Sequence, residues 1–132
     1  MAYEFSNAVV KVSRVAGADL SAAQYKFVKL DPATGNVVAV NGATDRPLGV
    51  LQNSPTAGQI AEVTIVGGSK VEAGGSASVG QALFSDASAL GVTLAYGTTG
   101  SAAFVAGTFV ENAASGAITS AVINCANLGR GL

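Results

Sequence analysis

Short apolar runs alternate with glycine-centred breaks along the chain, and this pattern predicts short β-strands. Residues 10–13 alternate apolar and polar side chains, as a strand with one buried face does. Apolar runs at residues 25–30 and 37–40 flank residues 31–36, where a proline and Gly35 favour a tight turn. These two runs therefore predict a β-hairpin.

The same order of strands and turns continues to the end of the chain. Apolar positions alternate with Glu62 and Thr64 in residues 61–65, and Gly67-Gly68 predicts the end of that strand. Later strands are predicted at residues 82–84, 92–96 and 118–123, with a turn at 85–91 and a loop at 97–101. Strands at this spacing with glycine turns predict an all-β fold, either a small barrel or a sandwich.

One stretch also permits a helical interpretation. Residues 18–26 could form a short helix with Asp19 as its N-cap. The matching later segment contains Gly80, which weakens a helix interior. We therefore favour the all-β interpretation throughout.

The chain contains the same segment twice. Gly49 matches Gly107 and Gly58 matches Gly116, with the same offset along the chain for both pairs. Upstream, a segment with Ala16, Gly17, Gln24 and Phe27 matches one with Ala73, Gly74, Gln81 and Phe84, at an offset shorter by one position. Such repetition at a nearly fixed period indicates a duplicated structural unit. On this alignment Phe27 and Phe84 occupy equivalent core positions.

The repeat predicts the domain organisation. Residues 1–15 form an irregular N-terminal arm and the first strand, and residues 16–67 form the first β unit. Residues 73–124 form the second unit, and residues 125–132 form a C-terminal tail. At 132 residues these parts make one compact domain with a shared core.

Composition favours a protein that assembles with other proteins. Hydrophobic residues make up 49% of the chain and charged residues only 11%, below the usual quarter. A net charge of −1 predicts no binding to nucleic acid or to an anionic membrane. Five of the seven cations nevertheless lie in the first 46 residues: Lys11, Arg14, Lys26, Lys29 and Arg46. They form either a solvated face or a surface that meets an acidic protein.

Reactive chemistry is scarce. The chain has no histidine, the commonest general base and metal ligand at neutral pH, and its acidic residues are scattered. We therefore predict no enzyme activity, no cofactor and no metal site. Cys125 is the single cysteine and is expected to be a small buried hydrophobe. The start of the chain lacks the pattern of a signal peptide, and no apolar run has the length of a membrane span.

Two polar segments resemble binding motifs only superficially. Residues 66–70, which end in Gly-Gly-Ser-Lys, lack the spacing of a phosphate-binding loop and predict a turn. Residues 31–36 carry oxygen ligands without the pattern of a calcium loop, and a hairpin turn is favoured.

The order of these features resembles small bacteriophage capsid cement proteins, also called head decoration proteins. The resemblance is carried by Ala16-Gly17, Asp31 with Gly35, the run Pro47-Leu48-Gly49-Val50, and Ala57-Gly58 followed by Val63. It implies a virion protein on the outer capsid surface, made in the host cytoplasm, that stabilises the shell by bridging capsomers. It further implies the major capsid protein as partner and a homotrimer as the assembled form.

The candidate capsid contacts lie in the first 46 residues. They are the arm residues Tyr3, Glu4 and Phe5 together with Lys11, Arg14, Lys26, Lys29 and Arg46. The second unit keeps the glycines and apolar positions of the first and loses most of its charges, so the first unit is predicted to carry the polar contacts.

An alternative function remains open from the sequence. A carbohydrate- or receptor-binding β module of a phage fibre or surface adhesin would place its site on loops 41–45 and 97–101. The absence of tryptophan and the small number of tyrosines disfavour this alternative.

Overall fold

A computed structural model describes residues 9–93 and 103–130, which form eleven β-strands. These are β1 (Val10–Val15), β2 (Phe27–Leu30), β3 (Val37–Ala39), β4 (Gly49–Leu51), β5 (Ile60–Glu72), β6 (Ala82–Ser85), β7 (Gly91–Val92), β8 (Phe104–Val105), β9 (Gly107–Phe109), β10 (Ile118–Asn124) and β11 (Gly129–Arg130). The described residues contain no helix, and the all-β prediction is confirmed.

Residues 18–26, for which a helix was the alternative, form turns instead. The side chain of Asp19 accepts a hydrogen bond from the amide of Ser21, at 3.0 Å. This is an Asx-turn, in which a short polar side chain replaces a backbone acceptor. The hydrogen bond from the Ser21 amide is the main cause that holds the pKa of Asp19 below its usual value.

Nine strands form one sheet in the order β3-β2-β4-β5-β10-β9-β6-β7, with β1 paired to β5. Strands β8 and β11 form a separate pair. Strand β2, next to one end of the sheet, approaches the turn before β7 at the other end, because the amide of Phe27 donates to the carbonyl of Ala89 at 2.9 Å. The sheet therefore curves around an enclosed core, as a small barrel does.

The predicted internal repeat is present in the backbone hydrogen bonds. The amide of Ala16 donates to the carbonyl of Gln59 at 2.8 Å, and the amide of Ala73 donates to that of Ala117 at the same distance. Ala16 also bridges Val37, as Ala73 bridges Gly91. The two halves are thus copies of one β unit.

The predicted equivalence of Phe27 and Phe84 is wrong. Val28 of β2 pairs with Gly49, whereas Leu83 of β6 pairs with Gly107, so Val28 and Leu83 are the equivalent residues of these two strands. Phe27 is therefore equivalent to Ala82, and Phe84 has a different place in its unit.

The first unit contains two extra residues before β2, which explains the shift. The amides of Tyr25 and Gly80 donate to equivalent carbonyls, those of Leu51 and Phe109, at 2.7 and 2.8 Å. Upstream of this point, the backbone hydrogen bonds of the two units match at the longer offset, the one that relates Ala16 to Ala73. The offset therefore changes within the turn at residues 21–22, and the two extra residues lie there. A shift of two keeps each strand's buried face, because side chains alternate with a period of two.

The predicted strand end at Gly67-Gly68 is also wrong. Strand β5 continues through both glycines to Glu72, a length of 13 residues. Gly67 has φ of 122°, a backbone conformation that L side chains rarely adopt. The first half of β5 pairs with β1 and β4 and its second half with β10, so one strand serves both units. The predicted turn at residues 66–70 is part of this strand.

Two apolar clusters form the interior. One packs residues of both units together, including Phe27, Val71, Leu83 and Phe109, and the other lies within the first unit. The hydroxyl of Thr119 is buried beside them without a hydrogen-bond partner among the described residues. Its equivalent in the first unit is an apolar residue, Ala61.

Substituting Thr119 with valine is expected to stabilise the protein by about 1 kcal/mol. The change keeps the branched shape and removes a buried hydroxyl that has lost its hydration. Urea unfolding followed by circular dichroism measures the gain. Thr119→Ser, which keeps the hydroxyl and removes a methyl group, is the control and should destabilise. A loss of stability in the valine variant would contradict the idea that the hydroxyl carries an uncompensated cost.

Candidate interaction surface

The described residues contain no cluster of the side chains that usually hold a metal ion. Among them, no three His, Cys, Asp or Glu side chains lie close enough together to hold a metal ion. No helix among these residues has the length and hydropathy of a membrane span.

Cys125 is buried, as predicted, with 6% of its surface exposed. Loss of hydration raises the pKa of its thiol to about 12. Because the thiolate is the reactive form, the side chain is a packing residue and a poor nucleophile.

The pH dependence of stability should reveal this burial. The thiol of the unfolded chain ionises near its ordinary pKa, whereas the thiol of the folded protein stays protonated to about pH 12. Ionisation therefore favours the unfolded state, and the free energy of unfolding falls as the pH rises above ~8.5. Between pH 9 and 11 we expect this group to lower the free energy of unfolding by ~1.4 kcal/mol per pH unit. Unfolding curves of the wild type and of Cys125→Ala, compared across this range, isolate the effect. Parallel pH profiles would contradict it.

The predicted contacts divide between described and undescribed parts of the chain. Tyr3, Glu4 and Phe5 lie outside the described residues, as does loop 97–101. The five cations Lys11, Arg14, Lys26, Lys29 and Arg46 lie within them and occupy three separate places.

The first place is strand β1, which carries Lys11 and Arg14. In the described structure β1 pairs with β5 alone, so its other edge is open, and both side chains are exposed. The guanidinium of Arg14 donates to the carbonyl of Gly35, at 2.9 Å from Nη2 and 3.3 Å from Nε. Arg14 therefore ties the open edge to the turn between β2 and β3, while Lys11 remains available to a partner.

The second place is the end of β2 and the loop after β3. The ammonium of Lys29 lies 2.7 Å from the carboxylate of Asp45 and donates to the side-chain oxygen of Asn41 at 2.8 Å. The hydrogen bond from Lys29 is the main cause that holds the pKa of Asp45 below its usual value, against the opposing effect of burial. Lys29 thus orders the loop 41–45, which reduces its availability to an external partner.

Arg46 follows this loop and is exposed, with no ion pair among the described residues. It borders a depression of 290 Å³ whose other lining residues are Leu30, Pro47, Leu48 and Cys125. An exposed guanidinium beside an apolar hollow suits contact with a protein surface that combines acidic and apolar groups.

The third place is the junction between the two units. The ammonium of Lys26 lies 3.6 Å from the carboxylate of Glu72, and the amide of Glu72 donates to the carbonyl of Tyr25 at 3.0 Å. Both charged side chains are 28% exposed. Lys26 therefore joins the units, a role that the sequence could not distinguish from a surface contact.

Several surface features were not predicted from the sequence. Tyr25 has φ of 65°, unusual for a residue with a bulky side chain, and its ring lies 5.6 Å below the ammonium of Lys70. On β10, Ile118 and Val122 are exposed apolar residues. Nothing in the sequence indicated Tyr25, because the sequence alignment pairs it with Ala82, and its equivalence to Gly80 follows only from the backbone hydrogen bonds.

Comparison with known proteins adds a fold relationship. No protein-family model matches the chain, and no curated protein sequence matches it significantly. A solved structure, the head fiber gp8.5 N base of bacteriophage phi29, matches with a TM-score of 0.61 and 20% sequence identity. The match covers 89% of this chain and 95% of that one. The two proteins share a fold.

Proposed function

We propose that this protein is a structural component of a bacteriophage virion. The observation that carries the proposal is the fold shared with the phi29 head fiber base over nearly the whole length of both chains. The resemblance of the turn and glycine pattern to capsid cement proteins supports the same class. Among the described residues, the open edge of β1 and the exposed cations Lys11 and Arg46, which make no ion pair there, also suit a protein that attaches to an assembly.

Within that class, we propose attachment to the outer surface of the assembled capsid, with the major capsid protein as partner. The arm residues Tyr3, Glu4 and Phe5 and the exposed cations Lys11 and Arg46 would make the contact. Each contact can be weak, because many copies on one shell hold neighbouring capsomers together. Assembly as a homotrimer would cover strand edges that a monomer leaves open.

Reconstitution on capsids tests this proposal. Virions stripped of the protein should rebind the purified wild type, and the double variant Lys11→Ala, Arg46→Ala should bind roughly tenfold more weakly, since each lost charge contact contributes up to ~1 kcal/mol. Val79→Ala, an exposed change outside the proposed surface, is the control. Full-strength binding by the double variant would overturn the role of the two cations.

Three further measurements separate the parts of the proposal. Deleting residues 2–8 should weaken capsid binding, and stripped capsids should release DNA at a lower temperature than restored ones. Light scattering at micromolar concentration should report a trimer. Equal thermal stability of stripped and restored capsids would contradict the stabilising role, and a monomer would contradict preassembly.

A second candidate is a module of a phage fibre that binds a carbohydrate or receptor. The protein of similar fold is the base of a phage head fiber, which favours this candidate. Loop 41–45 would form part of the site, although Asp45 and Asn41 already hold Lys29. A glycan-binding screen with the isolated protein distinguishes this candidate, because a pure capsid-binding protein should give no specific signal.

A further inference from the structure

A polar depression lies where the two units meet, apart from the cations proposed to contact the capsid. Its volume is 270 Å³, and its lining residues are Tyr25, Gln52, Gly68, Ser69, Lys70 and Ser120. Residues from β5 and β10 supply one side, and residues next to β2 and β4 supply the other. Neither unit alone contains the complete set.

The backbone conformation of Tyr25 is unfavourable for a tyrosine, which indicates a role for its side chain. Its φ of 65° is unfavourable for a residue with a Cβ, and the second unit uses Gly80, with φ of 85°, at the equivalent position. Glycine would therefore satisfy the fold at position 25. What tyrosine adds is a ring that lies in the depression beneath the ammonium of Lys70.

Lys70 carries a charge that the described residues leave uncompensated. The ion pairs among them join Lys26 to Glu72 and Lys29 to Asp45, so the nearby carboxylate of Glu72 is already engaged. Lys70 is exposed, and the ring of Tyr25 holds its ammonium at the depression. The local charge from Lys26, Lys70 and Glu72 is positive, which favours an anionic ligand.

The floor of the depression is held rigidly. The side-chain amide of Gln52 donates to the hydroxyl of the buried Ser69 at 2.8 Å and to the carbonyl of Val50 at 3.1 Å. The side chain of Gln24 donates to the carbonyl of Gln52 at 2.9 Å. A site fixed in this way loses little conformational entropy when a ligand binds.

Exposed apolar side chains flank the depression on β10. Ser120 lines it, and Ile118 and Val122 stand on either side of Ser120 on the same face of the strand. They are 49% and 46% exposed. A charged anchor between apolar residues is the arrangement expected of a protein-binding surface.

We propose that this depression binds the carboxylate of an Asp or Glu side chain in a partner protein, with apolar neighbours of that residue packing on Ile118 and Val122. Lys70 supplies the charge, Tyr25 positions it, and the Ser120 hydroxyl donates a hydrogen bond to the carboxylate. The site is independent of the proposed capsid contacts and stands whether or not the protein attaches to a capsid.

A titration with short peptides followed by amide NMR tests the site. The probe is acetyl-Leu-Asp-Leu-amide, and the matched probe with Asn in place of Asp removes only the charge. We expect saturable shifts at residues 68–70 and 118–122, with the Asn peptide about fivefold weaker, as for the loss of one exposed ion pair. Lys70→Gln should lower the affinity for the Asp peptide to that for the Asn peptide. Lys70→Arg, which keeps the charge, should bind the Asp peptide as the wild type does.

Two variants separate binding from folding and from overall charge. Tyr25→Gly should fold, because glycine fits the backbone there, and should lose binding. Gln59→Glu changes net charge as Lys70→Gln does and keeps the acceptor for the amide of Thr56. Gln59 directly precedes the first residue of β5, far along the strand from Lys70, so this variant should bind normally. Equal affinity for the two peptides, no saturable binding, or shifts elsewhere would overturn the proposal. Tighter binding of glucuronate than of the Asp peptide would overturn the assignment to a protein partner.

Discussion

Replacing Gly49 with alanine should destabilise the protein by at least about 3 kcal/mol, the upper range for inserting an atom into a packed interior. A Cβ at this position would overlap the carbonyl oxygen of Thr64 and press on the side chain of Val63. Both obstacles belong to β5, which pairs with β4 along this stretch. Neither a backbone carbonyl nor a strand held on both sides can move aside cheaply. Urea unfolding followed by circular dichroism measures the loss.

The same substitution can be made at the equivalent glycine of the second unit. A Cβ on Gly107, the equivalent of Gly49, would overlap the carbonyl oxygen of Val122. Gly107→Ala should therefore destabilise to a similar extent. The control is Gly75→Ala, where no heavy atom lies within 4 Å of the added Cβ and φ is not positive. Wild-type stability in either Gly49→Ala or Gly107→Ala would show that β4 and β9 do not approach their neighbours as closely as described.

Replacing Phe27 with alanine should cost roughly 3–5 kcal/mol, the usual range for removing a buried aromatic side chain. Phe27 is fully buried in the cluster that joins the two units, where it packs with residues of β5, β6 and β9. Its removal leaves a cavity in the cluster that joins the two units. Because the units share this cluster, we expect a single unfolding transition with a lower midpoint, measured by urea titration.

Two further variants serve as controls for this prediction. Val79→Ala removes an apolar side chain that is 60% exposed and should change stability by less than about 0.5 kcal/mol. Phe27→Leu keeps most of the volume and should recover much of the loss. Two separate transitions in Phe27→Ala would show that the units fold independently, and a small effect would show that the cluster does not join them.

Local features of the sequence predicted much of the fold correctly. Alternating side chains at residues 10–13 indicated the position of β1, although the buried face they predicted is absent there, since Val10 is 54% exposed. The turn with Gly35 indicated the hairpin of β2 and β3, where Gly35 has φ of 72°. Matching glycines indicated the repeat, because the close approaches at Gly49 and Gly107 require the same residue in both units. These features depend on near neighbours in the chain, where spacing and residue type suffice.

Two predictions were wrong because the features they concern depend on how strands pair. The alignment of Phe27 with Phe84 failed because two residues are inserted in a turn, and residue type cannot place an insertion that leaves the buried face unchanged. The strand end predicted at Gly67-Gly68 failed because glycine there permits an irregular strand rather than a turn. Hydrogen bonds to distant strands decide between these outcomes.

The sequence by itself determined an all-β protein with a duplicated unit, little reactive chemistry and a buried cysteine, because composition and periodicity carry that information. Only the tertiary structure decided how the cations divide between internal pairs and open surface. It alone brought Tyr25 and Lys70, which lie far apart in the chain, together at one depression. The reason is physical: side-chain contacts across a curved sheet depend on register and closure, which no local pattern encodes.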